Sequence, residues 1–304
     1  RNFYNNFNYN FIKILLIYFS STIFVIFLYS LTDLRLLDSV NLAFTSISSG
    51  GFIPEGNLSN ILINNLQIFV FSTTLLFPIL NFFLLHDIIT GKFLIKNHHE
   101  DLHLSLLIIL LTLFFYFFVI PEVGFVTVFF AITSSISTSG VTTYTSNLDL
   151  SLFFILLTIV GGSLISTSSG FKYTRIYILF KISYQEIYHL VKPINIIDKN
   201  LYNSEVKIDD QDLKIAFLVF LSFIISIFIL SSILTFDYLT FENSFKLSIL
   251  TLTNTLSSAL YGMDNLSFID LNNFTKMSLI LFMILGKIEI ITVIYLIRRF
   301  IFKE

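Results

Sequence analysis

The sequence predicts an all-α integral membrane protein, and three observations predict it. Of its 304 residues, 55% are hydrophobic and only 12% charged, with a mean hydropathy of +0.84, which places the chain outside the soluble-domain regime. Apolar stretches of the length needed to cross about 30 Å of hydrocarbon recur along it. Between them lie shorter apolar stretches, each ending in a run of small and hydroxyl residues. The charge balance, 18 Lys+Arg against 20 Asp+Glu, provides no basic field for a nucleic-acid backbone, so no nucleic-acid partner is expected. With no cysteine, neither a disulfide framework nor a thiolate metal site is available.

Six spans are expected, at residues 11–31, 66–89, 102–120, 150–180, 213–234 and 277–297, the fourth interrupted by a Gly/Ser/Thr run. The first lacks a small-residue cleavage site and leads straight into patterned membrane sequence, so it is read as a retained span rather than a leader. Lys and Arg crowd one set of loops and ends, including Arg1, Lys92, Lys181 and Arg298, while the opposite set holds only Arg35, Lys246 and Lys276. Positively charged loops stay inside, so both termini are expected in the cytoplasm. The polar stretch 183–212 then falls inside as well, as a solvated linker or a docking surface for a cytoplasmic partner.

The short apolar stretches are helical in pattern but too short to cross. Residues 38–47 lead into Ser48-Ser49-Gly50-Gly51-Phe52, residues 123–136 into Ser137-Thr138-Ser139-Gly140-Val141, and residues 241–256 into Ser257-Ser258-Ala259-Leu260-Tyr261-Gly262. The unit is span, half-helix, small-residue turn, span, and repetition of this kind sets architecture. It divides the chain into a repeat over 1–101 with its turn near 48–52, a repeat over 102–182 with its turn near 137–141, the linker 183–212, and a repeat over 213–304 with its turn near 258–262. Non-helical backbone at membrane depth is tolerated only inside protein or along a watery cavity. Turns of small residues can aim carbonyl oxygens at a dehydrated cation, and half-helix C-termini add partial negative charge.

These residues resemble the TrkH/KtrB-type potassium transporters of the Trk/Ktr/HKT superfamily, and the resemblance runs over essentially the whole chain. The segment 41–52 resembles that family's second pore loop, and 130–141 its third. The segment from Gly161 and Gly162 through Ser166, Thr167 and Gly170 to Lys172 and Arg175 is similar to an interrupted helix that forms an intramembrane gating loop. Ile165 and Ser169 stand where the family has glycine, which implies a stiffer loop. The segment 253–262 follows the fourth pore loop loosely, with Gly262 retained. Leu285-Gly286-Lys287-Ile288-Glu289 resembles a Gly-Arg-Leu-Glu segment whose arginine forms an electrostatic constriction, here Lys287. The resemblance implies K⁺ as the transported ion, with no bound cofactor. Filter residues would be Ser48, Ser49, Gly50, Gly51, Ser137, Thr138, Ser139, Gly140, Ser258, Ala259, Leu260, Tyr261 and Gly262, with K⁺ at Ser49, Gly51, Ser139, Gly140 and Gly262. It further implies a homodimer in the lipid of a bacterial inner membrane and a cytoplasmic nucleotide-binding regulatory subunit of the TrkA/KtrA kind. The family's first repeat has no counterpart, so the chain is expected to be the C-terminal part of a transporter through truncation or a split gene, with a genuine three-repeat protein as the alternative.

Other function classes fit less well. A membrane enzyme needs a nucleophile with a base, paired intramembrane carboxylates or a metal cluster at membrane depth, and no such constellation is seen, so no enzyme is expected. His99 and His103 stand four apart at the start of a span, where a solvated cap explains them. Intramembrane Lys287 is expensive unless paired or facing water, which points to function, whereas Glu289 is expected to contact neighbouring helices. A Na⁺-dependent or Na⁺-permeable transporter of the same family and a nonconducting subunit remain as alternatives. Glycine in all three turns favours K⁺.

Overall fold

A computed structural model describes residues 2–54, 58–91, 98–143, 149–191, 200–202, 208–237, 239–255, 257–263, 268 and 271–288. These residues are all-helical and form no β-strand. The order is α1 (Asn2–Ser30), α2 (Leu36–Ser48), α3 (Asn65–Thr74), α4 (Phe82–Ile89), α5 (His99–Phe114), α6 (Phe125–Ile136), α7 (Ser151–Val160), α8 (Tyr173–Val191), α9 (Asp210–Thr235), α10 (Phe241–Leu252) and α11 (Asn273–Ile288). A π-helical turn, Phe115–Val119, extends α5. Segments Phe11–Ser30, His99–Val119 and Asp210–Thr235 are each long and apolar enough to cross a membrane, and the chain is a multi-pass membrane protein.

The three half-helices α2, α6 and α10 are the most enclosed elements. From Phe130 to Ile136 every residue of α6 is buried, as is every residue of α10 from Lys246 to Leu252. The spans around them turn large apolar side chains outward, Phe19, Phe24 and Phe27 on α1 and Phe217, Leu221 and Phe228 on α9 among them. Lipid is as apolar as these side chains, so close packing and satisfied polar groups, rather than exclusion of water, hold the helices together. One core joins α5, α6, α7, α9, α10 and α11. A second joins α1, α2 and α3 and reaches Phe130 of α6.

Two expected spans differ from continuous helices. The stretch 66–89 breaks into α3 and α4 around Pro78, which offers no backbone N–H and obstructs the turn before it. The stretch 150–180 breaks between α7 and α8, as its Gly/Ser/Thr run predicts. The two breaks lie against each other and satisfy each other's main chain. Ser163 N–H donates to the Ile79 carbonyl at 2.8 Å, Ser168 N–H to Pro78 at 3.0 Å, and Phe82 N–H to Ile165 at 3.0 Å. Backbone freed from helical pairing inside a membrane protein is stable only with such partners.

The remaining corrections concern boundaries. Helix α8 runs on to Val191, so the first part of the expected linker 183–212 is helical. The half-helix expected over 241–256 stops at Leu252. Glu289 and the rest of the last expected span lie outside the described residues.

Candidate functional site

Each half-helix ends in a left-handed residue that reverses the chain. After α2 it is Ser49 (φ 52°), after α6 Thr138 (φ 59°), and after α10 Asn254 (φ 52°). In each case the next amide closes back five residues: Gly50 to Thr45 at 3.0 Å, Ser139 to Ser134 at 3.1 Å, and Thr255 to Leu250 at 2.8 Å. Orphan carbonyls at the helix end are satisfied in this way, while the last turn's partial negative charge stays aimed at the turn.

In the first two turns a glycine follows two residues after the left-handed residue. Gly51 and Gly140 both take φ 72°, an angle a side chain resists. A hydroxyl then fixes the exit strand: Thr45 Oγ1 donates to the Phe52 carbonyl and Ser134 Oγ to the Val141 carbonyl. Ser137 and Ser139 pair through their hydroxyls at 3.2 Å, and residues Ser134 to Gly140 are all buried. Ser48 is half-buried and turns its hydroxyl back to the Phe44 carbonyl at 2.6 Å.

The third turn corrects the expected register. The helix end and its left-handed residue stand at Leu252 and Asn254, ahead of the expected 258–262. Counting from Asn254 as from Ser49 and Thr138, the glycine position falls on Leu256, which lies outside the described residues. Gly262 instead follows a single 3₁₀ turn, Ala259–Tyr261, and is exposed beside Lys246 and Ser151. Sequence alone misaligned this turn because the only glycine nearby is Gly262, whereas α10 stops after the same number of turns as α6. Ser258 still reaches the second turn, donating to the Gly140 carbonyl at 2.8 Å, while Leu260 and Tyr261 are buried and Ala259 is exposed.

The break between α7 and α8 forms a loop pressed against these turns. Thr167 Oγ1 donates to the Ile47 carbonyl at 2.7 Å, Ser49 Oγ to the Thr167 carbonyl at 3.1 Å, and Ser169 N–H to Thr138 Oγ1 at 3.0 Å. The loop opens at Gly161, where α7 ends, and Gly162 N–H is held by Ser168 Oγ at 2.9 Å. It closes through Gly170 (φ 88°) and Lys172 (φ 78°), and Arg175 follows, half-buried, on the first turn of α8. Neither Ile165 nor Ser169 has a positive φ. Both positions therefore accept side chains without strain, which is why the missing glycines leave the loop intact.

Two lysines hold the loop's carbonyls. Lys172 Nζ donates to Ser168 O at 2.6 Å, Ser166 O at 3.2 Å and Ser166 Oγ at 3.1 Å. From α11, Lys287 Nζ donates to Thr167 O at 2.7 Å and lies 3.4 Å from Ser49 Oγ. A single ammonium thus bridges the loop 161–172 and the first turn, a contact between residues far apart in sequence. Charged donors make the stronger hydrogen bonds, and an ammonium here also opposes a cation approaching the same oxygens.

Comparison with known proteins agrees with this architecture. Residues 141–302 match the family model TrkH, described as a cation transport protein. An uncharacterized cation transporter of Methanocaldococcus jannaschii is 26% identical over 310 aligned residues, covering 95% of this chain and 60% of that protein. The Trk system potassium uptake protein TrkG of Escherichia coli is 28% identical over 294, covering 91% and 58%. The chain thus spans about 60% of the length of these curated relatives. Among solved structures, the potassium transporter TrkH from Vibrio parahaemolyticus shares the fold with a TM-score of 0.82 at 23% identity, over 93% of this chain and 62% of that one.

Proposed function

Since this chain belongs to the TrkH family of cation transport proteins, we propose that it is the ion-conducting membrane subunit of a potassium uptake system and not an enzyme. The observation that carries the reading is the convergence of three half-helix C-termini on left-handed turns, with the loop 161–172 bonded to two of them. Carbonyls of residues 48–51, 137–140 and 253–255 replace part of the hydration shell of K⁺, and the half-helix ends supply negative potential. Lys287, bonded to Thr167 and Ser49, acts as an electrostatic barrier that holds the loop across the path. A lysine keeps the charge of an arginine without its planar fork, so it opposes cations better than it latches carboxylates.

The same reading includes a homodimer in a bacterial inner membrane, both termini in the cytoplasm, and a cytoplasmic nucleotide-binding regulatory partner. Resemblance to the family supports the dimer, the membrane and the partner, the Lys/Arg asymmetry of the loops supports the orientation, and the naming of a relative as a potassium uptake protein supports K⁺ as cargo. A Na⁺-permeable variant is the second reading, favoured by one observation: the third turn carries Leu256 where the first two carry Gly51 and Gly140. Rb⁺ uptake by potassium-uptake-deficient cells producing the full-length protein tests the proposal. Uptake should depend on the protein and collapse in Gly51→Val at unchanged membrane level. Equal uptake with and without the protein would sink it.

A further inference from the structure

We propose that Tyr202 is a positioning residue through which the cytoplasmic linker controls the intramembrane loop 161–172. In sequence it is one tyrosine in a polar connection. In the structure it is 3% exposed, seated among Tyr177, His103 and Tyr173 with ring centroids at 4.4, 5.2 and 6.1 Å. The chain two residues before it is tied down too, as Lys181 Nζ donates to the Asn200 carbonyl.

The tyrosine's hydroxyl begins a continuous relay. It donates to Thr174 Oγ1 at 3.1 Å, the Thr174 hydroxyl donates to Glu100 Oε1, and the same oxygen accepts Leu164 N–H at 2.9 Å. Leu164 belongs to the loop, one residue from Ile165, whose carbonyl bonds the break after Pro78. Burial first, and the Glu100 charge next, push the Tyr202 hydroxyl up, so it stays protonated and donates. The Tyr202–Thr174 end of the network is buried, while its last bond, to the Leu164 amide, lies at an exposed residue; buried members of such a chain polarise one another and cost most when one is lost, because the remainder is left unsatisfied in low dielectric. Withdrawing Tyr202 removes the outer donor, leaves Glu100 with one hydroxyl fewer in its chain, and loosens the carboxylate that holds the Leu164 amide. A tyrosine present only for packing would work equally well as phenylalanine, so the hydroxyl separates the two roles.

The link to ion flux rests on the loop's proposed place in the ion path; the link to loop mobility does not. Ser163, next to Leu164 in the loop, is fully buried, so a Ser163→Cys in the full-length protein, with any cysteine outside these residues replaced, reports loop opening through its rate of labelling by N-ethylmaleimide in membranes, normalised to labelling after denaturation. Tyr202→Phe and Thr174→Val should each raise that rate about three- to tenfold, the range one net buried hydrogen bond gives to a local opening. Thr174→Ser, which keeps the hydroxyl, should leave it at the parent value. Equal rates in parent and Tyr202→Phe, including no labelling in either, would overturn the inference. Faster labelling in Tyr202→Phe with unchanged Rb⁺ uptake would uphold the coupling and count instead against the loop's role in conduction.

Discussion

At the scale of single residues, the site is defined by angles and charges. Gly140 holds φ 72° inside a wholly buried turn. A left-handed conformation costs an L-residue about 1–2 kcal/mol, so Gly140→Val should fold yet lower Rb⁺ uptake about tenfold or more as the carbonyls rotate off axis. Uptake normalised to membrane level, measured beside the parent, checks this. Lys287 makes the opposite kind of contribution. Its ammonium bonds Thr167 O and lies beside Ser49 Oγ, and a hydrogen bond to a charged group is worth about 1.5–3 kcal/mol. Lys287→Met should therefore raise uptake by roughly an order of magnitude, and Lys287→Arg should not. Lower uptake in the Met variant would remove the barrier role.

At the scale of elements, two contacts fix α11. Asp237, just beyond α9, accepts from Asn272 N–H at 2.8 Å and from the Thr275 hydroxyl at 2.6 Å, so it anchors the start of that helix. The Thr275 hydroxyl first, then the Asn272 amide, hold its carboxyl below the ordinary 3.8. A depressed carboxyl contributes stability that is complete above its unfolded pKa and lost as pH falls through the folded one. The melting temperature of Asp237→Asn should lie below that of the parent at pH 7, and the gap should begin to narrow only below about pH 4 and vanish once pH falls through the lower folded pKa. A gap independent of pH would mean that the carboxylate's charge is irrelevant. Further along α11, Gly286 passes so close to the end of α10 that a Cβ would sit 2.0 Å from the Leu252 carbonyl. Backbones approach this closely in membranes only over small residues. Gly286→Val should cost about 1–3 kcal/mol of overpacking, visible as a lower melting temperature. Because it would also carry Lys287 away from Thr167, it should raise the uptake of whatever protein remains folded.

At the scale of the whole molecule, the proposed ion choice would belong to the turns acting together. Two of them carry a left-handed glycine, and the third carries Leu256 at the equivalent count. Leu256→Gly should therefore strengthen discrimination, seen as weaker inhibition of Rb⁺ uptake by excess Na⁺ relative to K⁺. Unchanged competition would mean that the third turn contributes nothing to ion choice. The sequence by itself determined the membrane class, the half-helices and the first two left-handed turns. Each is a local property: apolar length, helical pattern, and glycine where φ must be positive. The loop 161–172 was legible for the same reason, and the break at Pro78 was visible in principle because proline interrupts any helix. Only the tertiary structure decided the register of the third turn, since Leu256 stands at the count where the first two turns carry Gly51 and Gly140, and the nearby Gly262 drew the sequence reading six residues on. It alone brought Lys287 to Thr167, Tyr202 to Thr174, and the two broken spans onto each other. Those contacts join residues far apart in sequence, and their energy depends on which buried donors and acceptors the packing leaves facing one another, which no local pattern records.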